Sequence, residues 1–417
     1  MPVLAGSETP VCTQASPPRG PAARFFVAVF LSLYGDWLTT VALLVVLFEA
    51  THNPAAPAGY MLVRVAPRVM GPWLGGHLSD HRSPRVVMVV TSALQAIFTL
   101  SLIGSHRASL IWGIYLAVAM AQFTGALGRP SQGALIPSLV GARGLPRANA
   151  TYGLLFSTSM FVAPAVGAVL LSRVGPDPLF AIDAASFAIC ALLVVTLPTP
   201  RATRGRTAAD WRPRMRRTRA VMLALRNPAI RMVATANFAG GLTITVTQAF
   251  LVVAAHERFG GDAAVGYLYS SVGVGGVLGG LFALRWIPPR TWTRFAVFFV
   301  ITSQVVATAA FSASMALLFA LLLLAVSAVA GTSMDTWGIT EIQRLAPPGF
   351  MGRYNSIIFI SLYAGMLVGA AWALATAPLL HWDVAIQISC AAMLVLVGGV
   401  WIVRGGSRAM TAEQEEP

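Results

Sequence analysis

The chain contains no lysine: all 29 of its basic side chains are arginine. That absence excludes a pump driven by a phosphate-binding loop, because the G-x-x-x-x-G-K-[ST] signature uses its lysine to reach the phosphates of ATP. Cysteine is scarce, with Cys12 in a polar N-terminal stretch and Cys190 and Cys390 in apolar runs. Neither a disulfide framework nor a metal site follows from three scattered thiols. The six histidines (His52, His77, His81, His106, His256, His381) are dispersed near the ends of apolar runs, and neither H-E-x-x-H nor G-x-S-x-G occurs. Membrane metalloprotease and serine-hydrolase chemistry therefore have no motif to rest on, and neither an enzyme nor a cofactor is expected. Charge itself is rare, at 11% of residues against 56% hydrophobic. A water-soluble domain does not have that balance.

What the chain has instead is length of apolar sequence. Runs of about 18–25 residues, enough to cross some 30 Å of hydrocarbon as a helix, recur from end to end. They lie near 25–48, 57–76, 86–104, 109–128, 148–172, 178–197, 229–255, 264–287, 292–312, 314–338, 354–378 and 382–403. The expected fold is an all-α membrane protein with twelve transmembrane helices.

The net charge of +14 would suit a polyanionic partner, but its placement argues for topology. With the N-terminus inside, the inner loops take Arg82, Arg85, Arg129, Arg143, Arg147, Arg285, Arg290, Arg294, Arg344, Arg353, Arg404 and Arg408, together with the Arg-rich segment 201–231. The outer loops keep only Arg107, Arg173 and Arg258. Such a bias places both termini in the cytoplasm of an inner-membrane protein and leaves no need for nucleic acid.

Residues 1–23 are Pro-rich and polar without an apolar core, and read as a disordered tail and not a cleaved signal. Residues 198–228, rich in Pro and Arg, separate six spans from six and read as a basic linker, with an amphipathic helix around Met215–Leu225 as a secondary reading. The expected units are therefore two six-helix bundles at 24–197 and 229–403, with a short cytoplasmic tail at 404–417.

The bundles echo one another. "GGHLSDHRSPR" (75–85) and "GGLFALRWIPPR" (279–290) fall at equivalent places, as do "IPSLVGARGLPRAN" (136–149) and "IQRLAPPGFMGRYN" (342–355). A near-constant offset of half the chain signals a duplication, and two six-helix units in the same orientation form the parallel repeat of one large class of secondary transporters.

Taken with these features, the chain resembles a major facilitator superfamily transporter, and in detail the drug and siderophore exporter branch that includes enterobactin exporters. The superfamily's loop motif, close to G-x-L-x-D-R-x-G-R-R, is matched by Gly76, Leu78, Asp80 and Arg85, while His81, Ser83 and Pro84 depart from it. "GDWLTTVAL" (35–43), "VAPRVMGPWLGG" (65–76), "RPSQGALIPSLV" (129–140), "ANA" (148–150) and "IDAASF" (182–187) resemble the exporter branch. The resemblance implies that Asp80 latches against the start of the eleventh helix near Gly352–Tyr354, where the helix dipole favours an anion. In the fifth span, "SMFVAPAVGAVL" (159–170) keeps Pro164 and Gly167 of an antiporter motif but has Ala163 where glycine is usual. "GVGGVLGG" (273–280) imitates a nucleotide loop, but inside an apolar span it reads as helix packing.

Charges inside the spans are costly and point to function. Asp36 and Arg64 lie at matching depth and can meet, and Tyr60, Arg64 and Arg68 form a stripe at i, i+4, i+8. Ser327, Gly331 and Asp335 share a face of the tenth span in the same way. Asp183 and Glu341 lie nearer the interfaces, where water would reach them. The superfamily's architecture implies a pathway lined by the first, fourth, seventh and tenth helices, with Tyr60, Tyr115, Gln122, Asn237, Thr245 and Gln248 as candidate lining. The function expected is proton-coupled efflux of drugs, siderophores or related amphipathic molecules by a monomer working through alternating access. Nutrient uptake, lysophospholipid flipping, and a non-transporting receptor or scaffold are the alternatives.

Overall fold

The structure, a computed structural model, describes residues 19–198, 227–286, 293–345 and 351–412. Within them the chain is helical between short turns: α1 (Arg19–Thr51), α2 (Ala55–His81), α3 (Pro84–Arg107), α4 (Ile111–Gly141), α5 (Thr151–Val174) and α6 (Pro176–Val195) form the first half. The second half comprises α7 (Pro228–Arg258), α8 (Asp262–Arg285), α9 (Thr293–Ala313), α10 (Leu317–Leu345), α11 (Met351–Thr376) and α12 (Trp382–Ala412). Among the described residues, eleven helices are long and apolar enough to cross a membrane. The twelfth, α2, carries Arg64 and Arg68 in its middle. The protein is a multi-pass, all-helical membrane protein.

Local sequence explains several boundaries. α4 and α5 belong to one helical run broken at Gly141, whose φ of 67° is open to glycine at no steric cost. Gly175, with φ 75°, ends α5, and Pro176 opens α6 with the φ a helix needs. α7 starts at an Asn-Pro pair in which the Asn227 side chain accepts from the Ala229 N–H at 2.9 Å, satisfying a donor the first turn would otherwise leave bare. Pro84, one of the departures in the loop motif, is the first residue of α3. α1 begins earlier than the apolar run suggests, and α12 runs past residue 403 to Ala412. The proposed amphipathic segment at Met215–Leu225 lies outside the described residues.

Small residues set the helix spacing. A Cβ on Gly71 or Gly75 of α2 would collide with Ala126 or Leu127 of α4, and one on Gly275 or Gly279 of α8 would collide with Ala325 or Val329 of α10. The two glycine pairs stand at the same 204-residue offset as the loop echo, so the repeat is carried by backbone contacts as well as by sequence. In lipid there is no hydrophobic drive to bring helices together, and close van der Waals approach does that work. The "GVGGVLGG" stretch is thus a packing face of α8.

The two halves close over each other on one face. Near the ends of α1 and α7, the rings of Phe48 and His256 lie 5.1 Å apart, so these helices run parallel and finish on the same side. Leu43, Leu44, Phe250 and Val253 are fully buried there. Toward the opposite face, Leu33 and Tyr34 of α1 and Phe238, Gly240 and Ile244 of α7 are only partly covered. That gradient positions the cavity.

Candidate functional site

A cavity of about 290 Å³ lies between the halves, on the side where the starts of α1 and α7 are only partly covered. Its first-half wall is built from α1, α2, α4 and α5, with Asp36, Arg64, Arg68 and Arg129 as its charged groups. The second-half wall is mainly amide, hydroxyl and apolar: Thr245 and Gln248 from α7, Gln304 and Thr308 from α9, Ser327 and Asp335 from α10, and Tyr363 from α11.

Asp36 and Arg64 meet, with Arg64 Nη2 donating to Asp36 Oδ2 at 2.8 Å and side-chain exposures of 5% for the arginine and 25% for the aspartate. The contact is one link in a longer chain. Gln122 Nε2 donates to Asp36 Oδ1 at 3.0 Å, and Arg68 Nη2 donates to Gln122 Oε1 at 3.2 Å. Arg64 also stands over the Trp37 ring at 5.0 Å, where the ring face adds a further favourable contact for the cation. Removing one partner from a buried pair of this kind costs about 3–5 kcal/mol, because the other charge is left desolvated and alone.

Several candidate lining residues sit behind the wall instead of on it, and each has a structural occupation. The Tyr60 hydroxyl donates to Thr40 Oγ1 at 3.2 Å in a fully packed setting. Tyr115 donates to the Ala56 carbonyl at 2.8 Å, bracing the start of α2. Gln122 is used by Asp36 and Arg68. Asn237 donates back to the Val233 carbonyl of its own helix at 2.9 Å. Thr245 and Gln248 are on the wall, as are Ser327, Gly331 and Asp335, the i, i+4, i+8 face of α10. Asp335 has no hydrogen bond or ion pair among the described residues.

Asp183 corrects the expectation of a wetted, interfacial acid. It is 2% exposed, packed against α1 where the missing side chain of Gly35 lets α6 approach, and its local partner is the Ser186 hydroxyl at 3.4 Å. Among the described residues it has no ion pair. Glu341 is half-buried. Gln304 and Thr308 are additions to the site: α9 is not among the helices expected to line a pathway, yet two polar residues four apart in an apolar run are a signal for it. Gln304 is 5% exposed, its amide oxygen has no partner among the described residues, and Thr308 shares a 2.8 Å hydrogen bond with Ser327.

In the loop motif, Leu78 is exposed and Arg85 donates to the Val195 carbonyl at the end of α6. The side chains of Gly76 and Asp80, and those at the start of α11, lie outside the described residues, and the latch expected between them lies there too. On the closed face two of the three loop arginines are ion-paired in place. Arg107 and His106 engage Asp177 at 2.7 and 2.8 Å, and Arg258 engages Asp383 at 3.0 Å. Among the described residues no cluster of His, Cys, Asp and Glu could hold a metal ion.

Residues 25–370 match the pattern of the Major Facilitator Superfamily. A relative in Bacillus subtilis (strain 168), an uncharacterized MFS-type transporter named YfiS, is 23% identical over 170 residues, and the match spans 40% of this chain and 40% of the relative's length. Among solved structures, a mutant form of the nucleoside transporter NupG superposes with a TM-score of 0.72 at 17% identity, covering 92% of this chain and all of that one. A bacterial homologue of the iron transporter ferroportin in an inward-facing state gives 0.68 at 18% identity over 92% and 98% of the two chains. A peptide transporter, POT, in complex with sulfate gives 0.72 at 12% identity over 93% and 94%. These likenesses establish a shared fold.

Proposed function

The chain belongs to the Major Facilitator Superfamily, a family of transporters and not of enzymes, and from that premise we propose that it is a proton-coupled exporter of amphipathic small molecules in the inner membrane. The observation that carries this reading is the cavity between the halves, closed on one face and open on the other, with an apolar and hydroxyl-rich wall and on it the carboxylate of Asp335, which has no partner among the described residues. A carrier needs a central site that can open to either side of the membrane in turn, and a mostly apolar cavity with a few convergent polar groups suits a bulky, partly apolar ligand. Asp335 is the acid assigned here to the coupling proton: on the cavity wall and with no ion pair among the described residues, it can exchange a proton with whichever side the cavity faces. The arginine-rich ends make the open face cytoplasmic by the positive-inside rule, so the state described faces inward, and the protein acts as a monomer.

The test is a susceptibility and accumulation panel in a host lacking its own pumps. Expression should lower accumulation of at least one amphipathic compound, and a protonophore should abolish the difference. Unchanged accumulation across the panel contradicts export, and raised accumulation of a nutrient would show uptake. Export that persists under the protonophore contradicts the coupling alone.

A further inference from the structure

We propose that the cavity selects molecules bearing an anionic group, a carboxylate, sulfonate or phosphate on an apolar body, and that Arg129 and Arg68 receive that group. The proposal rests on the carrier reading above and names its substrate class. Five charged side chains among the described residues line the cavity: Asp36, Arg64, Arg68, Arg129 and Asp335. They are neutralised unevenly. Asp36 engages Arg64 with one oxygen and Gln122 with the other. Among the described residues Arg68 reaches only the neutral amide oxygen of Gln122, and its Nε is buried without a partner. Arg129, at the open end of the same wall, is exposed and makes no hydrogen bond or ion pair among the described residues. The like charges of Arg64 and Arg129 both act on Arg68.

Two guanidinium groups therefore face the open volume from the first half without a carboxylate of their own. The opposing wall offers one acid, Asp335, on the other half of the molecule. A guanidinium cannot shed its charge by deprotonation, so a fixed surplus inside a membrane protein has to be met by an anion or by water. A carboxylate, sulfonate or phosphate matches the planar fork of arginine with two parallel hydrogen bonds, and does so more strongly than a neutral acceptor. Phe156, Met160, Leu362 and Met366 line the same cavity and seat the apolar body. A monocation of the same shape meets two unneutralised arginines against one aspartate, and is disfavoured.

Three dansyl probes of similar size, the carboxylate dansylglycine, its neutral amide and a dansyl trimethylammonium cation, test this by fluorescence titration of the purified full chain in neutral detergent. Dansylglycine should bind about tenfold tighter than either relative, a difference equivalent to one charge-assisted contact. Arg129→Gln should remove that preference, with the neutral amide within about twofold of its wild-type affinity and the cation bound no more weakly than before. Because Arg129 makes no hydrogen bond or ion pair among the described residues, the variant should elute and melt like the wild type, and Arg129→Lys should retain a preference for the anion. Equal binding of the three probes, binding of none, tighter binding of the cation, or wild-type affinity for dansylglycine in Arg129→Gln overturns the assignment. Displacement of dansylglycine by phosphatidylglycerol but not by benzenesulfonate would give the arginines to a lipid headgroup and equally overturn it. Counterflow in sealed proteoliposomes separates the two readings: equal flux of all three probes refutes the anion site and keeps the carrier, whereas selective binding without flux keeps the site and refutes the carrier.

Discussion

Asp36 is held in mid-helix by donors from two other helices, Arg64 of α2 and Gln122 of α4, and Gln122 passes the contact on to Arg68. The matched depth of Asp36 and Arg64 is legible in the spacing of the apolar runs. Gln122 as the bridge is not, because its sequence neighbourhood says only that it is a polar group in a span. Asp36→Asn should strand Arg64 and lower the yield of inserted protein several-fold, in keeping with about 3–5 kcal/mol for a broken buried pair. Adding Arg64→Gln should restore the yield, as read by membrane-fraction quantification. If the pair is structural, gradient-driven transport returns with it, and if Asp36 carries the proton, only exchange returns. We favour the structural role because Asp335 is available for the proton. Asp335→Asn is accordingly expected to abolish uphill transport while preserving counterflow, and uphill transport at the wild-type rate in that variant would remove Asp335 from the coupling step. Asp183 shows the limit of reading depth from sequence. Its position near the start of an apolar run suggests water, but Gly35 on a helix nearly 150 residues away lets α6 close over it.

At the scale of the helices, apolar run length is enough to place eleven, α2 being placed by its position between two of them despite Arg64 and Arg68, and the glycines show where some of them touch. Which glycine faces a neighbour depends on a rotation of about 100° per residue that periodicity in a nearly all-apolar span cannot fix. α8 offers a controlled comparison, since a Cβ on Gly279 would strike Val329 of α10 while one on Gly280 meets nothing within 4 Å. Gly280→Ala should leave thermal stability unchanged or raise it, through a gain of up to about 1 kcal/mol in helix propensity. Gly279→Ala should lower the melting temperature or the yield, since α10's backbone has to retreat. Equal behaviour of the two variants in a thermal-shift assay would show that α8 and α10 do not pack through that face. The Asn227 cap of α7 and the Pro84 start of α3 are readable as local chemistry. The parts of the cavity drawn from α9 are not, because Gln304 and Thr308 gain meaning only once α9 is seen beside α10.

At the scale of the whole molecule, the two halves meet on one face through α1 and α7 and stand apart around the cavity on the other, as the proposed carrier would in one end-state of an alternating-access cycle. The duplication seen in the loops and in the glycine pairs accounts for that shape, because two similar bundles can rock against each other about a site between them. Orientation rests on arginine, and a reporter fused at Ala208 should be active only if it is cytoplasmic; a periplasmic signal would invert the assigned direction of the open face. The direct test of the account is to pin the closed face. In a chain freed of Cys12, Cys190 and Cys390, Phe48→Cys with His256→Cys places two thiols where the rings of α1 and α7 lie 5.1 Å apart. Cross-linked by a short bifunctional reagent with a reducible linkage, that protein should bind its substrate from the open side but stop transporting it, and reduction should restore the flux. Full transport by quantitatively cross-linked protein would contradict alternating access across this cavity.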